Sequence, residues 1–430
     1  MGKGTRSVAS YDEDATSMGV EAARAALATT SAAVDEVVFV TTSPPYLDKT
    51  NATAIHAALA LDQGVGAYDA IGAVRSGSGA VRHATGGSLV VFSDTRTGLP
   101  GGADEAQGGD AAAAFLYGEG DGVIAERIGF GSATGEFLDR WRTPGDSYSK
   151  QWEERFGETA LVPLAEAALN AGLKSAGITL EDVDHFIVSG LHARANRAFK
   201  ATAPDLTAVI GNAGVAAPAV KLADVLDVAE PGQVIARLII ADGADISLWR
   251  VTDAIKAYRR ASTVQEQIAS ARGTLAYNTF LTWRGMLDRE PPRRPDPERP
   301  AAPPSQRREE WKFGFTASRC TKCETRHLPP ARVCVKCRAV DEMVPERLAD
   351  VKATIATFTV DHLGFSLSPP IVAAVIDFDG GGRFRCELTD VDPTTVKIGD
   401  RVEMSFRRLF TADGVHNYFW KARPVRSSDG

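Results

Sequence analysis

Val34-Asp-Glu-Val-Val-Phe-Val-Thr-Thr-Ser43 returns 149 positions later as Val183-Asp-His-Phe-Ile-Val-Ser-Gly190, each time after a helix-like Ala/Leu stretch. A second pair, Ser88–Asp94 and Val234–Asp242, matches at an offset of 148, and each copy leads through a Gly/Asp turn into a further apolar strand, Ala111–Tyr117 and Ile246–Val251. Between them lie glycine-rich helix starts, Ile71–Ala80 and Ile210–Ala217. Two copies of one unit in the same order point to an internal duplication. Strands that are apolar almost throughout, alternating with helices, predict layered, mostly parallel sheet covered on both faces, an α/β fold over residues 1–253.

The remainder of the 430 residues changes character. Ala254–Arg289 spaces Ile255, Tyr258, Val264, Ile268, Phe280, Leu281 and Trp283 as helices do and breaks at Gly273, which predicts a helical hairpin. Pro291–Pro304 is proline-dense, and proline fixes φ and lacks a donor, so an extended strap is expected through residue 310. From Val351 to Pro424 five short apolar or alternating strands are separated by Gly, Asp and Pro turns. That pattern predicts a small barrel of the OB type over residues 346–430.

Hydrophobic residues make up 44% and charged residues 24%, ordinary soluble usage, and the net charge of -7 speaks against a general nucleic-acid binder. No apolar run approaches the roughly 20 residues of a membrane helix, and the N-terminus lacks the apolar core of a secretory signal, so a cytoplasmic protein is expected. The five cysteines lie at 320, 323, 334, 337 and 386. Four of them read C-x2-C-x10-C-x2-C. Two such knuckles bring two thiolates each to one point and complete a tetrahedral four-sulfur zinc site, Cys320, Cys323, Cys334 and Cys337, within a ribbon over 311–345. A closed site of this kind staples a fold and leaves no open position for catalysis. Cys386 falls within a strand and reads as a core thiol.

The duplicated half also carries Tyr11-Asp-Glu-Asp-Ala15, Asp48-Lys-Thr50, Asp69-Ala-Ile-Gly-Ala-Val-Arg-Ser-Gly77, Gly109-Asp-Ala-Ala-Ala-Ala114, Gly211-Asn-Ala-Gly-Val-Ala-Ala217 and Asp242-Gly-Ala-Asp245. On these residues it resembles the thiolase superfamily, in its hydroxymethylglutaryl-CoA synthase and type III ketosynthase branch. The C-terminal part resembles the acyl-CoA-associated zinc-ribbon OB-fold proteins that accompany such enzymes. The resemblance implies an acyl-CoA or CoA ligand, a heteromeric thiolase-like partner, and a structural zinc ion.

Departures from the family pattern shape the functional expectation. The family's acyl-accepting cysteine would stand at Val74, and valine forms no thioester. The glutamate expected before Asp48-Lys-Thr50 is replaced within Ser43-Pro-Pro-Tyr-Leu47. Asn212 matches the family's asparagine and His192 lies near the region that supplies its histidine, and these two are the candidate catalytic residues. Few residues precede Tyr11, so the domain is expected to lack its first strand. Arg75, next to Val74, would need a partner carboxylate if buried. The expectation is an auxiliary, non-catalytic acyl-CoA-binding subunit whose nucleophilic cysteine lies on a partner. The alternatives are a cysteine-independent retro-aldol lyase or acyltransferase using His192, Tyr46 and Asn212, or a synthase of the ordinary kind. Aromatic and basic residues of the barrel, such as Phe406, Arg408 and Trp420, leave nucleic acid as a minor reading.

Overall fold

The computed structural model describes residues 4–271, 273–293, 295 and 297–425. They form two compact units, the first drawn from Met1–Ala9, Asp14–Thr53 and Gln63–Gly273, the second from Ser10–Glu13, Ala54–Asp62 and Thr274–Gly430.

The first unit opens with α1 (Ala15–Leu27), β1 (Glu36–Thr41), the start of α2 (Ala52–Ala58), β2 (Gly66–Ile71), α3 (Ser76–His83), β3 (Ser88–Asp94), α4 (Ala103–Gln107) and β4 (Ala111–Leu116). Its second half comprises β5 (Ala125–Ala133), the two-residue strands β6 (Arg140–Trp141) and β7 (Lys150–Gln151), α5 (Glu154–Ala176) and β8 (His185–Gly190), then α6 (Ala193–Arg197), α7 (Thr207–Ile210), α8 (Ala216–Leu226), β9 (Val234–Ile240) and β10 (Ala244–Val251). One sheet runs β2-β1-β3-β4 and the other β5-β10-β9-β8. In the first, β1 is parallel to β2 and β3 while β4 is antiparallel; in the second, β8 and β9 are parallel and β10 is antiparallel to both neighbours. The copies β1/β8, β3/β9 and β4/β10 therefore correspond. β2 belongs to the first sheet alone and β5 to the second.

Every residue of β3 and β9 is buried, as strands covered on both faces must be. Val40, Val90 and Phe92 of one sheet and Ile235, Ile239 and Trp249 of the other join Val81 of α3 and Val225 of α8 in one apolar cluster, so these two helices form the layer between the sheets. Leu161, Ala165 and Leu169 of α5 pack on the outer face of the second sheet with Leu238 and Ile246. Each fully buried Phe, Leu or Ile stabilises this stack by about 2–3 kcal/mol. Close approach is built in by glycine: a Cβ on Gly131 of β5 would stand 2.2 Å from the carbonyl oxygen of Ala168 in α5.

Residues 254–289 differ from the expected helical hairpin. They hold a single 3-10 turn (Asp253–Lys256), α9 (Val264–Ala269) and α10 (Tyr277–Trp283), and the two helices fall in different units. Thr263 caps α9 through a capping box with Glu266, so a fresh helix start interrupts the apolar periodicity, and helices this short rest on packing rather than on propagation. The described residues of 291–301 carry no helix or strand, and Pro303 and Pro304 enter the first turn of α11 (Ala302–Arg307), which α12 (Glu309–Lys312) follows.

The second unit contains a three-stranded ribbon, order β12-β11-β13, from β11 (Thr316–Cys320), β12 (Arg326–His327) and β13 (Met343–Arg347). A closed five-stranded barrel follows, β14 (Ala353–Asp361), β15 (Ile371–Phe378), β16 (Arg383–Leu388), β17 (Arg401–Ala412) and β18 (Val415–Pro424), in the order β14-β15-β16-β18-β17. Strict alternation along β15 points Val372, Ala374, Ile376 and Phe378 inward. Cys386 is buried there too, and burial pushes its thiol up to about 12.

Residues 10–13 are part of this second unit, and Asp12 explains why. Its carboxylate is fully buried and accepts from Arg407 (3.2 Å), Lys421 (3.0 Å) and Thr389 (3.0 Å). Burial pushes the Asp12 carboxyl up, but Arg407 and Lys421 outweigh it and hold the group below the usual carboxylate range. Arg407 also meets Glu13 and Asp390, and Lys421 meets Glu387, so no charge in the cluster is left alone. Asp12→Ala would remove the carboxylate that Arg407 and Lys421 share, leaving Arg407 with Glu13 and Asp390 and Lys421 with Glu387, and is expected to cost about 1.5–3 kcal/mol in chemical unfolding. A loss under about 1 kcal/mol would show the cluster to be dispensable.

Candidate functional site

A cavity of about 600 Å³ opens in the first unit where the two halves meet. The first half supplies Thr42–Pro45 after β1 and Gly72–Val74 before α3; the second supplies His192 and Ile240–Asp242, and the β6–β7 hairpin lies along it with Asp139 to Asp146. Its walls are held by Asp94 at the end of β3. This fully buried carboxylate accepts from the Thr42 amide (2.6 Å), the Thr41, Thr42 and Ser43 hydroxyls, and the Val215 amide at the start of α8 (2.9 Å). One side chain thus ties the β1 loop to the helix start of the opposite half. Gly109 completes the join, since a Cβ there would lie 1.8 Å from the Ile210 carbonyl oxygen.

Val74 lines the cavity two residues before α3 and is 4% exposed. The turn ahead of it uses Gly72 at φ 118°. An isopropyl group here offers neither a nucleophile nor a proton. The next residue, Arg75, points away into a fixed cradle: Nε bonds Asp245 (3.0 Å), Nη1 the Asp242 carbonyl (2.5 Å), and Nη2 the Ser132, Thr134 and Ala133 oxygens. The carboxylate partner that a half-buried arginine needs is Asp245.

His192 also lines the cavity, as the N-cap of α6. Its Nδ1 accepts from the Ala195 amide (3.1 Å), so the proton sits on Nε2, which donates to the Glu154 carbonyl (2.9 Å). Both ring nitrogens are occupied by main chain. Asn212 is not among the cavity-lining residues; its Nδ2 donates to the Gly190 carbonyl (2.8 Å) and its Oδ1 accepts from the Gly214 amide (3.1 Å). Tyr46 is likewise outside the lining, although Pro45 and Leu47 are within it. Of the three residues named for chemistry, the fold brings only His192 to the cavity.

Apart from Asp242, which opens the Asp242–Asp245 motif, the cavity's charges come from positions that the motifs did not indicate. Arg96 is buried and burial holds its guanidinium below the usual value, with Arg140 adding to the effect and Asp94 and Asp104 opposing it. Arg140 forms a two-pronged pair with Asp104 (2.7 and 2.6 Å), and Arg142 bonds the Thr42 carbonyl. Asp242 stands at the mouth in a left-handed conformation, φ 50°. Burial, Asp139 and Glu136 raise its carboxyl above the ordinary range, and Arg75 opposes them. Asp146 is used otherwise, accepting from the Thr143 amide and hydroxyl. The β6–β7 hairpin, which supplies Arg140 and Arg142, has no counterpart in the other half and so lies outside the repeat.

In the second unit the Sγ atoms of Cys320, Cys323, Cys334 and Cys337 all lie within 4.8 Å of one another. Each knuckle closes on a left-handed residue, Glu324 (φ 60°) and Arg338 (φ 64°), and the Cys337 amide points at the Cys334 sulfur (3.5 Å). His327 braces the second knuckle, its Nε2 accepting from the Val335 amide (3.1 Å). A four-thiolate donor set converging on one point fits a single tetrahedral zinc ion.

Residues 314–343 match the family model described as the ChsH2 rubredoxin-like zinc ribbon domain, and residues 346–407 that of the ChsH2 C-terminal OB-fold domain. A hydroxymethylglutaryl-CoA synthase of Aeropyrum pernix is 30% identical over 307 residues, covering 66% of this chain and 84% of that protein. A DUF35 domain-containing scaffold protein of Methanocaldococcus jannaschii is 33% identical over 114 residues, 25% of this chain and 80% of that protein. Among solved structures, PksG, a synthase of the same name from Bacillus subtilis, superposes with a TM-score of 0.53 at 17% identity over 65% of this chain and 79% of that one, a likeness of fold.

Among the described residues no helix is long and apolar enough to cross a membrane. Elemental analysis of gently purified protein is expected to find about one zinc per chain, and Cys323→Ser or Cys334→Ser to abolish it and lower the melting temperature; a metal content near zero in the unaltered chain would refute the assignment. The duplicated sheet, the motifs around Val74 and the extent of the match agree: the chain belongs to the hydroxymethylglutaryl-CoA synthase branch of the thiolase superfamily and carries a ChsH2-type zinc ribbon and OB-fold at its C-terminal end.

Proposed function

We propose that the chain is an acyl-CoA-binding subunit of a thiolase-like complex that forms or cleaves carbon–carbon bonds, with the acyl-bearing cysteine on a partner. The observation that carries this reading is Val74. The cavity persists with its helix start and its arginines, yet the covalent route through a thioester needs a nucleophile, and residues 1–319 contain no cysteine. A relative named as a scaffold protein for the C-terminal module supports a role in assembly. The partner docks along β2, the edge strand of the first sheet, where Tyr68 is 58% exposed and Ile71 37%.

In this account Arg96 and Arg142 favour the negative charge of the ligand, His192 fixes the start of α6, and Asn212 sets the turn before α8. One observation favours a second reading, a cysteine-independent retro-aldol cleavage: Asp242 offers a carboxylate with a raised pKa at the cavity mouth. It would take the proton of a β-hydroxyl as the Cα–Cβ bond breaks, leaving a carbonyl product and a thioester enolate that is then protonated. A raised carboxyl is the active base only above its own pKa, so such a rate would climb with pH through that value.

Two substrates separate the readings. The purified chain alone is expected to bind acetyl-CoA and to turn over neither it nor a β-hydroxyacyl-CoA, with turnover appearing only in a complex with a cysteine-bearing partner. Cleavage by the chain alone, abolished by Asp242→Asn, would replace the first reading with the second.

A further inference from the structure

Two exposed apolar patches of opposite charge lie on this one chain. The first surrounds the cavity hairpin: Leu138, Trp152 and Phe156 are 55%, 58% and 57% exposed, and Phe156 packs on Phe137 with ring centroids 5.3 Å apart. Glu136 and Glu153, which flank these aromatic residues in sequence, are exposed and carry no ion pair among the described residues, and the one exposed cation between Trp152 and Phe156 is Arg155. The second patch is the tip of the second zinc knuckle, where Val333, Val335 and Val340 are 47%, 69% and 59% exposed. Lys336 and Arg338 stand among these valines, and neither has an ion pair among the described residues. Trp and Phe in an exposed cluster are the residue types that carry binding energy, and three adjacent valines on a ribbon hairpin exceed the scattered single residues of an ordinary surface.

The two patches are complementary in charge. The same asymmetry holds on a larger scale: residues 1–273 are net acidic, while 274–430 hold more Lys and Arg than Asp and Glu. We infer that the chain associates with a second copy of itself by seating the basic valine knuckle of one copy on the acidic aromatic patch of the other. The contact is heterologous, one face against a different face, and its apolar centre is ringed by Lys336 and Arg338 opposite Glu136 and Glu153. It is separate from any docking along β2 and does not depend on the acyl-CoA reading.

The test uses full-length chain alone, without CoA or partner. A photo-crosslinking p-benzoylphenylalanine in place of Trp152 is introduced, and light- and heavy-isotope copies are mixed. Crosslinks from 152 to peptides spanning Val333–Val340 of the other isotopic copy are expected, weakening as salt is raised. Val335→Asp, with zinc content as the check on its fold, should raise the self-dissociation constant at least about tenfold. Crosslinks confined to one copy, crosslinks elsewhere, no crosslink, or an unchanged constant in Val335→Asp would each overturn the inference.

Discussion

The buried carboxylate of Asp94 is the constraint on which the candidate site rests. A carboxylate in an apolar interior is costly unless its lone pairs are filled, and here two main-chain amides and three hydroxyls fill them. The donors come from the β1 loop of one half and the α8 start of the other. Satisfying one charge therefore fixes the relative position of two halves that a duplication would otherwise leave free to slide, and Thr42 and Ser43, held this way, form part of the cavity wall.

With the walls fixed, the chemistry follows from which side chains remain uncommitted. Val74 has none to offer. Arg75 is bound to Asp245 and four other oxygens, and His192 to two main-chain groups, so neither can follow a reacting substrate without breaking bonds that shape the fold. Around them the cavity carries Arg96, Arg140 paired with Asp104, Arg142 bonded to the Thr42 carbonyl, and Asp242, and it is to this arginine-rich wall that the proposed reading assigns the anionic thioester ligand. Asp12 does for the barrel unit what Asp94 does here, fastening residues 10–13 through a closed set of charges.

Much of this was legible in the sequence for physical reasons. Strands buried on both faces must be apolar throughout, so Val37–Val40, Leu89–Phe92 and Ile187–Val188 announced themselves, and the offset between copies exposed the duplication. Four cysteines at fixed spacing can converge in few ways, and they do. The burden on Arg75 was also readable, although Asp245, 170 positions away, was not. Long-range partners leave no local pattern: nothing near Tyr11 indicates that Asp12 meets Arg407 and Lys421. His192 was read by family position, whereas its role depends on the Glu154 carbonyl and the Ala195 amide, main-chain groups that any sequence would supply. The helical hairpin was misread because apolar spacing over 254–289 is shared by two short helices that belong to different units.

The central claim, that the cavity receives an acyl-CoA without capturing its acyl group, is most directly tested by intact-protein mass measurement after incubation with acetyl-CoA and acid quench. The account predicts the unmodified mass from the chain alone, and an acetyl adduct only on a cysteine-bearing partner when both are present. A stoichiometric acetyl adduct on this chain, mapped to any residue lining the cavity, would contradict it.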